Sequence, residues 1–206
     1  MHDRICFIIG AGEVDPDLHI DLQDGDLLIA ADAGWQTARR LGLTPHLVIG
    51  DFDTLPAPTD HPNTIVLPCE KDVTDMRAAV DLGLERGYCR FALYGGTGGR
   101  MDHTLANLQG LGYLARHGAQ GFLYDESYVF TAIRNSSITL PAREEGIFSV
   151  FCLGPEAHGI SIRGAKYNLD GADLDAFFPL GVSNHFQGST VEIHVEDGCL
   201  LIGWEI

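Results

Sequence analysis

Short apolar runs that alternate with helical patterns are the feature that most restricts the fold of this chain. Five continuous runs predict buried strands, at Ile5–Ile9, Leu27–Ala31, Leu47–Ile49, Ile65–Leu67 and Phe91–Tyr94. Three segments between or after them predict helices, at Trp35–Leu41, Asp75–Arg86 and His103–His117. The third helix repeats apolar residues at Leu105, Leu108, Leu111 and Leu114. Alternating strands and helices predict a parallel, Rossmann-like sheet.

The pattern changes from about Phe130 onward. Short strand-like runs separated by Pro, Gly, Asn and Asp replace the helical periods, at Ser137–Leu140, Ile147–Leu153, Ile160–Arg163, Thr190–Val195 and Leu200–Trp204. We therefore expect an α/β N-terminal domain over residues 1–126, with a mainly parallel Rossmann-like sheet. A small all-β sandwich domain is expected over residues 127–206.

The charge of the chain restricts its partners. It has 29 Asp and Glu residues against 13 Lys and Arg, a formal net charge of −16. Such a surface repels phosphate backbones and anionic lipids, so we expect no nucleic-acid or membrane partner. Ile5–Ile9 is too short for the core of a signal peptide. An anionic substrate would need a local counter-charge, which a bound divalent cation, Lys71 and Arg100 could provide.

The five cysteines predict the redox environment. Their number is odd, they are widely spaced, and no Cys-x-x-Cys occurs. Buried, reduced thiols in a cytoplasmic protein explain this pattern better than disulfides or a zinc site.

Acidic or glycine-rich clusters follow the predicted strands. They are Ala31-Asp32-Ala33-Gly34, Gly50-Asp51-Phe52-Asp53, Lys71-Asp72-Val73-Thr74-Asp75 and the segment from Gly95 to His103. If the strands are parallel, all four clusters lie at one carboxyl edge, where open α/β sheets bind ligands. Carboxylates for Mg²⁺ and backbone N–H groups for phosphates would then be neighbours, which favours nucleotide chemistry.

Two acidic pairs are candidate metal ligands. In an extended segment Asp51 and Asp53 would face the same way and could share one hard cation, although an ordinary acidic turn is the alternative. Asp72 and Asp75 precede and open a helix. Asp72 could cap that helix, and Asp75 could complete the Mg²⁺ shell.

The glycine-dense turn at Gly95–Arg100 is a candidate phosphate-binding loop. Its backbone N–H groups can approach phosphate oxygens closely, and Arg100 offers a planar guanidinium for bidentate contact. Asp102 could cap the following helix, and His103 could contact phosphate or simply pack. By contrast, Gly10-Ala11-Gly12 fails the dinucleotide fingerprint, because the third glycine would fall at Asp15. No P-loop Gly-Lys-Ser/Thr occurs either.

Taken in order, these motifs resemble those of thiamine pyrophosphokinases (thiamin diphosphokinases). The motifs are Asp32-Ala33-Gly34, Gly50-Asp51-Phe52-Asp53, Lys71-Asp72-x-Thr74-Asp75, Gly98-Gly99-Arg100-Met101-Asp102-His103, Gly164-Ala165-Lys166-Tyr167 and Ser183-Asn184. The resemblance implies an α/β domain followed by a β-sandwich, and a homodimer with active sites between subunits. It also implies Mg²⁺-dependent transfer of the terminal pyrophosphoryl group of ATP to the thiamine hydroxyl, which releases AMP.

The resemblance also implies roles for individual residues. Asp51, Asp53 and Asp75 become the metal ligands, and with Arg100 and Asp102 they form the expected catalytic set. The expected ATP-binding residues are Asp32, Gly34, Asp72, Thr74, Gly98, Gly99, Arg100 and His103. Ser183, Asn184 and Phe186 fall where the family meets thiamine, although a phenylalanine in a β domain is more often part of the core.

Two other functional classes fit the same residues. A Mg²⁺-dependent nucleotide phosphohydrolase would use the acidic edge to activate water and would release phosphate or pyrophosphate without thiamine. A non-catalytic sensor would bind thiamine or thiamine diphosphate and be stabilised by it without forming AMP.

Overall fold

The five apolar runs of the first part of the chain form the five predicted strands, and a further strand follows the third helix. The elements are β1 (Cys6–Ile9), β2 (Leu27–Ala31), α1 (Gly34–Arg40), β3 (Leu47–Gly50), β4 (Thr64–Val66), α2 (Asp75–Glu85), β5 (Arg90–Tyr94), α3 (Met101–Arg116) and β6 (Gln120–Tyr124). The structure is a computed structural model, and it describes residues 4–53 and 55–206.

The chain divides into two compact units. The first extends to Asn107 and also contains Leu123–Glu126, whereas the second contains Leu108–Phe122 and Ser127–Ile206. The domain bounds expected from the sequence, 1–126 and 127–206, stay a prediction.

Parallel pairing organises the first unit. β1 pairs with β2 and β5, β2 pairs with β3, and β3 pairs with β4, all in parallel. The strands therefore lie in the order β5-β1-β2-β3-β4 and point the same way. Their carboxyl ends lie along one edge, which positions the acidic and glycine clusters as neighbours.

Helices cover both faces of these strands, which explains why the strands are apolar throughout. On one face, Phe7, Ile9 and Leu28 belong to a buried cluster with Ala38 of α1. On the other, α2 approaches so closely that a Cβ added to Gly83 would lie 2.9 Å from Cys6 Sγ.

Two expectations for the first part of the chain are wrong in detail. β4 is not buried. Among the described strands it pairs with β3 alone, so it lies at the edge of the sheet, and Val66 is 66% exposed. The apolar stripe of α3 is buried at Leu111 and Leu114, but Leu105 is 57% exposed. Only the C-terminal half of the predicted stripe therefore contributes to a core.

Antiparallel strands form the second unit. They are β7 (Tyr128–Arg134), β8 (Ser137–Leu140), β9 (Ile147–Cys152), β10 (Glu156–Arg163), β11 (Leu169–Asp175), β12 (Gly181–His185), β13 (Val191–His194) and β14 (Cys199–Glu205). Four of them pair in the order β12-β9-β14-β7, and a separate sheet has the order β11-β10-β13-β8. Side chains from both sets, among them Phe148, Ile160, Ile193 and Ile202, form one buried cluster.

Sequence patterns missed β6, β7, β11 and β12. In β11 (Leu169–Asp175), Leu174 is the one buried residue, so no apolar run marks the strand. β12 (Gly181–His185) is polar and contains a bulge, which removes the regular alternation on which strand prediction depends. None of the described helices is long and apolar enough to span a bilayer.

Candidate active site

A cleft of about 580 Å³ lies in the first unit, where the parallel strands end. Its walls come from the loop after β1, the segments after β2 and β3, the start of α2 and the glycine loop after β5. The predicted site residues that line it are Asp32, Asp51, Asp53, Thr74, Asp75, Gly99, Arg100 and His103. Parallel topology thus brings together residues that are distant in the sequence.

Three carboxylates in the cleft form a candidate metal centre. One oxygen from each of Asp32, Asp51 and Asp75 lies within 4.8 Å of the others. Asp32 Oδ1 is buried and has no hydrogen-bond partner in the described part of the chain. Such an orphaned acceptor needs an explanation, and a hard cation coordinated by oxygen atoms supplies one.

The electrostatics of Asp32 agree with this arrangement. Burial raises the pKa of its carboxyl group, and the nearby charges of Asp75, Asp51 and Asp53 also raise it. A backbone hydrogen bond from Ala33 acts in the opposite direction and lowers this pKa. Crowding of like charges makes a bound cation favourable at this point.

Asp53 lies outside the group of three carboxylates. Its side chain is exposed, and its backbone N–H donates to Asp51 Oδ1 at 3.3 Å. The expected extended conformation of this segment is wrong, because Phe52 between the two acids has a φ of 54°. Asp51 and Asp53 therefore do not follow the alternation of a strand, and metal ligation by Asp53 stays a prediction.

Strained backbone marks the same edge. Asp32 has a φ of 48° and Phe52 a φ of 54°, values that non-glycine residues rarely adopt. Such residues concentrate at binding and catalytic sites, where the surrounding structure compensates for the strain. Sequence motifs alone gave no sign of these conformations.

Lys71 neutralises part of the acidic group. Its Nζ hydrogen-bonds to Asp51 Oδ2 and lies 3.1 Å from Asp75 Oδ1, and all three side chains are largely buried. The hydrogen bond from Lys71 lowers the pKa of Asp51. Burial lowers the pKa of Lys71, but the two carboxylates outweigh this effect and raise it. The lysine expected to balance an anionic substrate thus serves two aspartates in this structure.

Thr74, rather than Asp72, caps α2. The Thr74 side chain accepts a hydrogen bond from Arg77 N at 3.2 Å, and its backbone is extended. The expectation that Asp72 could cap the helix is therefore wrong; Asp72 is exposed and does not line the cleft. The cap places Asp75 in the first turn of α2, so its carboxylate benefits from the helix dipole.

Arg100 and Asp102 pair with each other at the glycine loop. Arg100 Nε lies 3.1 Å from Asp102 Oδ1, and Arg100 Nη2 lies 2.5 Å from Oδ2. Hydrogen bonding from Arg100 lowers the pKa of Asp102, and the His103 N–H also donates to this carboxylate. Arg100 lines the cleft, whereas Asp102 and Gly98 do not.

Gly34 has a packing role. It is buried, and a Cβ at this position would overlap the carbonyl oxygen of Ile9. Glycine therefore allows the start of α1 to approach the end of β1. Contact between Gly34 and a nucleotide stays a prediction.

The predicted thiamine residues belong to the second unit. Ser183 is exposed, has a φ of 60° and lies at a bulge in β12, where the four residues from Gly181 to Asn184 lie opposite only three residues of β9. Bulges redirect side chains and are common beside binding sites. The Ser183 N–H donates to Ser149 Oγ at 3.1 Å.

Asn184 and Phe186 are more deeply placed. The Asn184 amide accepts from Tyr167 N at 3.0 Å and donates to Tyr167 O at 2.6 Å, which fixes the turn that contains Tyr167. Phe186 is 3% exposed and packs against Phe148 with ring centroids 5.1 Å apart. The structure thus shows the core role that the sequence allowed for Phe186, and its contact with a substrate stays a prediction.

The sequence motifs assigned no individual role to several other cleft residues, among them Thr97, Asn107 and Cys69. Thr97 and Asn107 line the cleft and bond to neighbouring loops, and Cys69 is an exposed free thiol at its rim. Asn107 follows His103 by four residues, a spacing that places both on one helix face and could have indicated it. For Cys69 the sequence offered no signal, and its exposure, like that of Cys89, departs from the expected burial of the thiols.

Comparison with known proteins decides the family. The family model for the thiamin pyrophosphokinase catalytic domain matches residues 20–123, half of the chain, and the model for the thiamin pyrophosphokinase vitamin B1 binding domain matches residues 135–200. The chain belongs to the thiamin pyrophosphokinase family. The resemblance seen in the ordered motifs, and the enzyme class that it implies, are therefore confirmed.

Individual relatives agree with this membership. A thiamine pyrophosphokinase of Bacillus subtilis (strain 168) is 27% identical over 198 residues, which cover 91% of each chain. A crystal structure of a thiamin pyrophosphokinase from Geobacillus thermodenitrificans has a TM-score of 0.81 at 27% identity, covering 98% of this chain and 97% of that one. One from B. subtilis shares the fold, with a TM-score of 0.85 at 23% identity and coverage of 98% and 99%.

Proposed function

We propose that this chain catalyses Mg²⁺-dependent transfer of the pyrophosphoryl group of ATP to the hydroxyl group of thiamine, producing thiamine diphosphate and AMP. One observation supports ATP and Mg²⁺ as the phosphate donor and the metal of this reaction. The carboxylates of Asp32, Asp51 and Asp75 converge within 4.8 Å in the cleft that the glycine loop also lines. A metal centre beside a phosphate-binding loop is what transfer from a nucleoside triphosphate requires.

The acidic group would hold the metal. Asp32, Asp51 and Asp75 offer oxygen ligands of the kind that Mg²⁺ prefers, and Asp53 is a further candidate ligand at the same edge. When bound, Mg²⁺ supplies neutralisation of the charge on the phosphate oxygens.

The glycine loop and the start of α3 would hold the phosphates. Gly99 and His103 line the cleft, and backbone N–H groups at a helix N-terminus favour anions. Arg100 would exchange its contact with Asp102 for phosphate oxygens, since a planar guanidinium pairs equally well with either group. Asp32, Gly34, Asp72, Thr74 and Gly98 complete the proposed nucleotide surroundings.

In the chemical step the protein aligns the thiamine hydroxyl group with the triphosphate and forms no covalent bond to either substrate. The thiamine hydroxyl oxygen bonds to the β-phosphorus, the bond from that phosphorus to the oxygen bridging to the α-phosphorus breaks, and AMP leaves with that oxygen. The hydroxyl proton passes to a nearby carboxylate in the same exchange. Holding the triphosphate at fixed points lets the two oxygens lie in line across the phosphorus.

Thiamine recognition is assigned to the second unit. The match of residues 135–200 to a vitamin B1 binding domain supports this assignment, and exposed Ser183 at the β12 bulge is its strongest candidate residue. Asn184 would act by fixing the neighbouring turn at Tyr167. Thiamine is a cation, so a net charge of −16 favours its approach.

We also propose the finer architecture, assembly and location. The first unit would be a Rossmann-like domain, the second a β-sandwich, and two chains would form a homodimer in the cytoplasm. Phe177 is 93% exposed and Phe178 64% exposed, and exposed apolar clusters of this kind mark protein interfaces. Five free thiols suit a reducing compartment.

A single assay tests the reaction. The protein is incubated with ATP, Mg²⁺ and thiamine, and the nucleotide products are resolved by chromatography. AMP and thiamine diphosphate in equal amounts, abolished by EDTA, are expected. ADP would indicate transfer of a single phosphoryl group, phosphate release without thiamine would indicate a phosphohydrolase, and thermal stabilisation by thiamine without AMP would indicate a sensor.

A further inference from the structure

The last carbonyl group of β5 and the first three carbonyl groups of the glycine loop all have hydrogen-bond donors. Four successive carbonyl oxygens each accept a hydrogen bond, and three of the donors are backbone N–H groups of the loop after β1. Gly10 N donates to Tyr94 O at 2.8 Å, Gly12 N to Gly95 O at 2.8 Å, and Glu13 N to Thr97 O at 3.2 Å.

A side chain supplies the fourth donor. Asn107 Nδ2 donates to Gly96 O at 2.8 Å from the second turn of α3, and both residues line the cleft. Gly96 is buried, so its carbonyl oxygen depends on this amide for a partner. We call the four donors, from Gly10, Gly12, Glu13 and Asn107, the carbonyl brace.

By holding these carbonyl groups, the brace also sets the direction of the N–H group on the other side of each peptide bond. In a trans peptide the C=O and the next N–H point in opposite directions, and the described chain contains no cis peptide bond. Each N–H group from Gly95 to Gly98 therefore points away from the donor that holds the carbonyl of the same peptide. Binding of a phosphate requires this outward orientation of N–H groups, because an outward carbonyl would repel the anion.

We propose that Asn107 is a positioning residue for ATP, and that Gly10-Ala11-Gly12 belongs to the phosphate site as part of the brace rather than as a dinucleotide fingerprint. Gly12 is required because a Cβ there would lie 2.7 Å from Gly95 O and closer still to Thr97 O. This inference rests on the proposed function, since it assumes that the glycine loop receives the phosphates of ATP.

Asn107→Asp tests the side-chain part of the brace. Its shape is nearly unchanged, but a carboxylate has no hydrogen to donate and repels the Gly96 carbonyl. We expect the KM for ATP to rise about tenfold, as the loss of one hydrogen bond to a buried acceptor implies. The KM for thiamine should stay within about twofold, because the brace acts on the phosphate loop alone.

Gly12→Ala tests the backbone part, and Gly110→Ala is the matched control. Gly110 lies on the same helix as Asn107, and a Cβ there meets nothing within 4 Å, so its kinetics should equal those of the parent. A second readout is the melting-temperature shift produced by inorganic tripolyphosphate without metal. It should shrink in both brace variants and persist in the control.

The outcomes separate this inference from the proposed function. If the parent protein forms no AMP, the proposed function fails. If the parent is active and Asn107→Asp keeps its KM for ATP, or shifts the KM for both substrates equally, the positioning role is wrong. Because KM does not depend on the folded fraction, a partly folded variant still gives a decisive ratio.

Discussion

At the scale of single residues, the metal centre has two candidate ligand sets: Asp51 and Asp75 with Asp32, or Asp51 and Asp75 with Asp53. The family resemblance favours Asp53 as a ligand, whereas the convergence within 4.8 Å includes Asp32 and leaves Asp53 exposed. We expect Asp32→Asn to weaken Mn²⁺ binding about tenfold or more, because it removes a charged oxygen from the centre. Asp53→Asn should have the smaller effect. Calorimetric titration of both variants measures the difference, and a greater loss with Asp53→Asn would restore Asp53 as the ligand.

Lys71 has a predictable effect on stability without metal. Its ammonium group lies between Asp51 and Asp75, and both ion pairs are largely shielded from water. Lys71→Met leaves two neighbouring carboxylates without a counter-charge, so we expect a loss of about 1–3 kcal/mol in the free energy of unfolding. Urea unfolding in EDTA measures it.

Added Mn²⁺ makes the test of Lys71 specific. It should recover part of the loss in Lys71→Met, because a cation replaces the missing ammonium group. Lys71→Arg, which keeps the charge, should stay closer to the parent. Equal stability of Lys71→Met and parent in EDTA would show that the ammonium group does not stabilise the acidic group.

At the scale of elements, the start of α2 positions an important carboxylate. Thr74 caps the helix, and Asp75 occupies its first turn. Thr74→Ala removes the acceptor for the Arg77 N–H and should cost about 1 kcal/mol of unfolding free energy. Thr74→Ser retains a hydroxyl group and should lose much less. The pair is compared by urea unfolding, and equal losses would show that the methyl group of Thr74, not its oxygen, matters.

The glycine-rich loops after β1 and β5 illustrate how one element depends on another. Read separately, Gly10-Ala11-Gly12 is a failed cofactor motif and Gly95–Arg100 a weak phosphate motif. In the fold their backbones hydrogen-bond to each other because β1 and β5 are neighbouring parallel strands. The loop after β1 has a role because its strand lies next to β5, and the sequence alone does not show that these two strands are neighbours.

At the scale of the whole molecule, the excess of acidic residues should appear as a dependence of stability on salt. A net charge of −16 produces self-repulsion in the compact state, and added ions screen it. We expect the melting temperature in EDTA to rise as NaCl increases from about 0.01 M to 1 M, a range over which the Debye length falls from about 30 Å to 3 Å. A falling melting temperature would mean that attractive ion pairs dominate the electrostatics.

The sequence by itself determined the alternation of strands and helices in the first part of the chain, the change to strands without helices after about Phe130, and the family. Continuous apolar runs and helical spacing are local properties, so β1 to β5 and the three helices were predicted within a few residues. The ordered motifs from Asp32 to Asn184 likewise identified the family without knowledge of the fold. These features depend on neighbours in the chain, which a sequence displays directly.

Tertiary structure alone decided which groups meet. The exposed edge position of β4, the cap at Thr74, the placement of Asp32 rather than Asp53 with Asp51 and Asp75, and the hydrogen bond from Asn107 to Gly96 all depend on strand order or on backbone with positive φ. Distances between residues far apart in the chain follow from packing of the whole unit. No local period or propensity encodes them, which is why the motifs located the site but not its geometry.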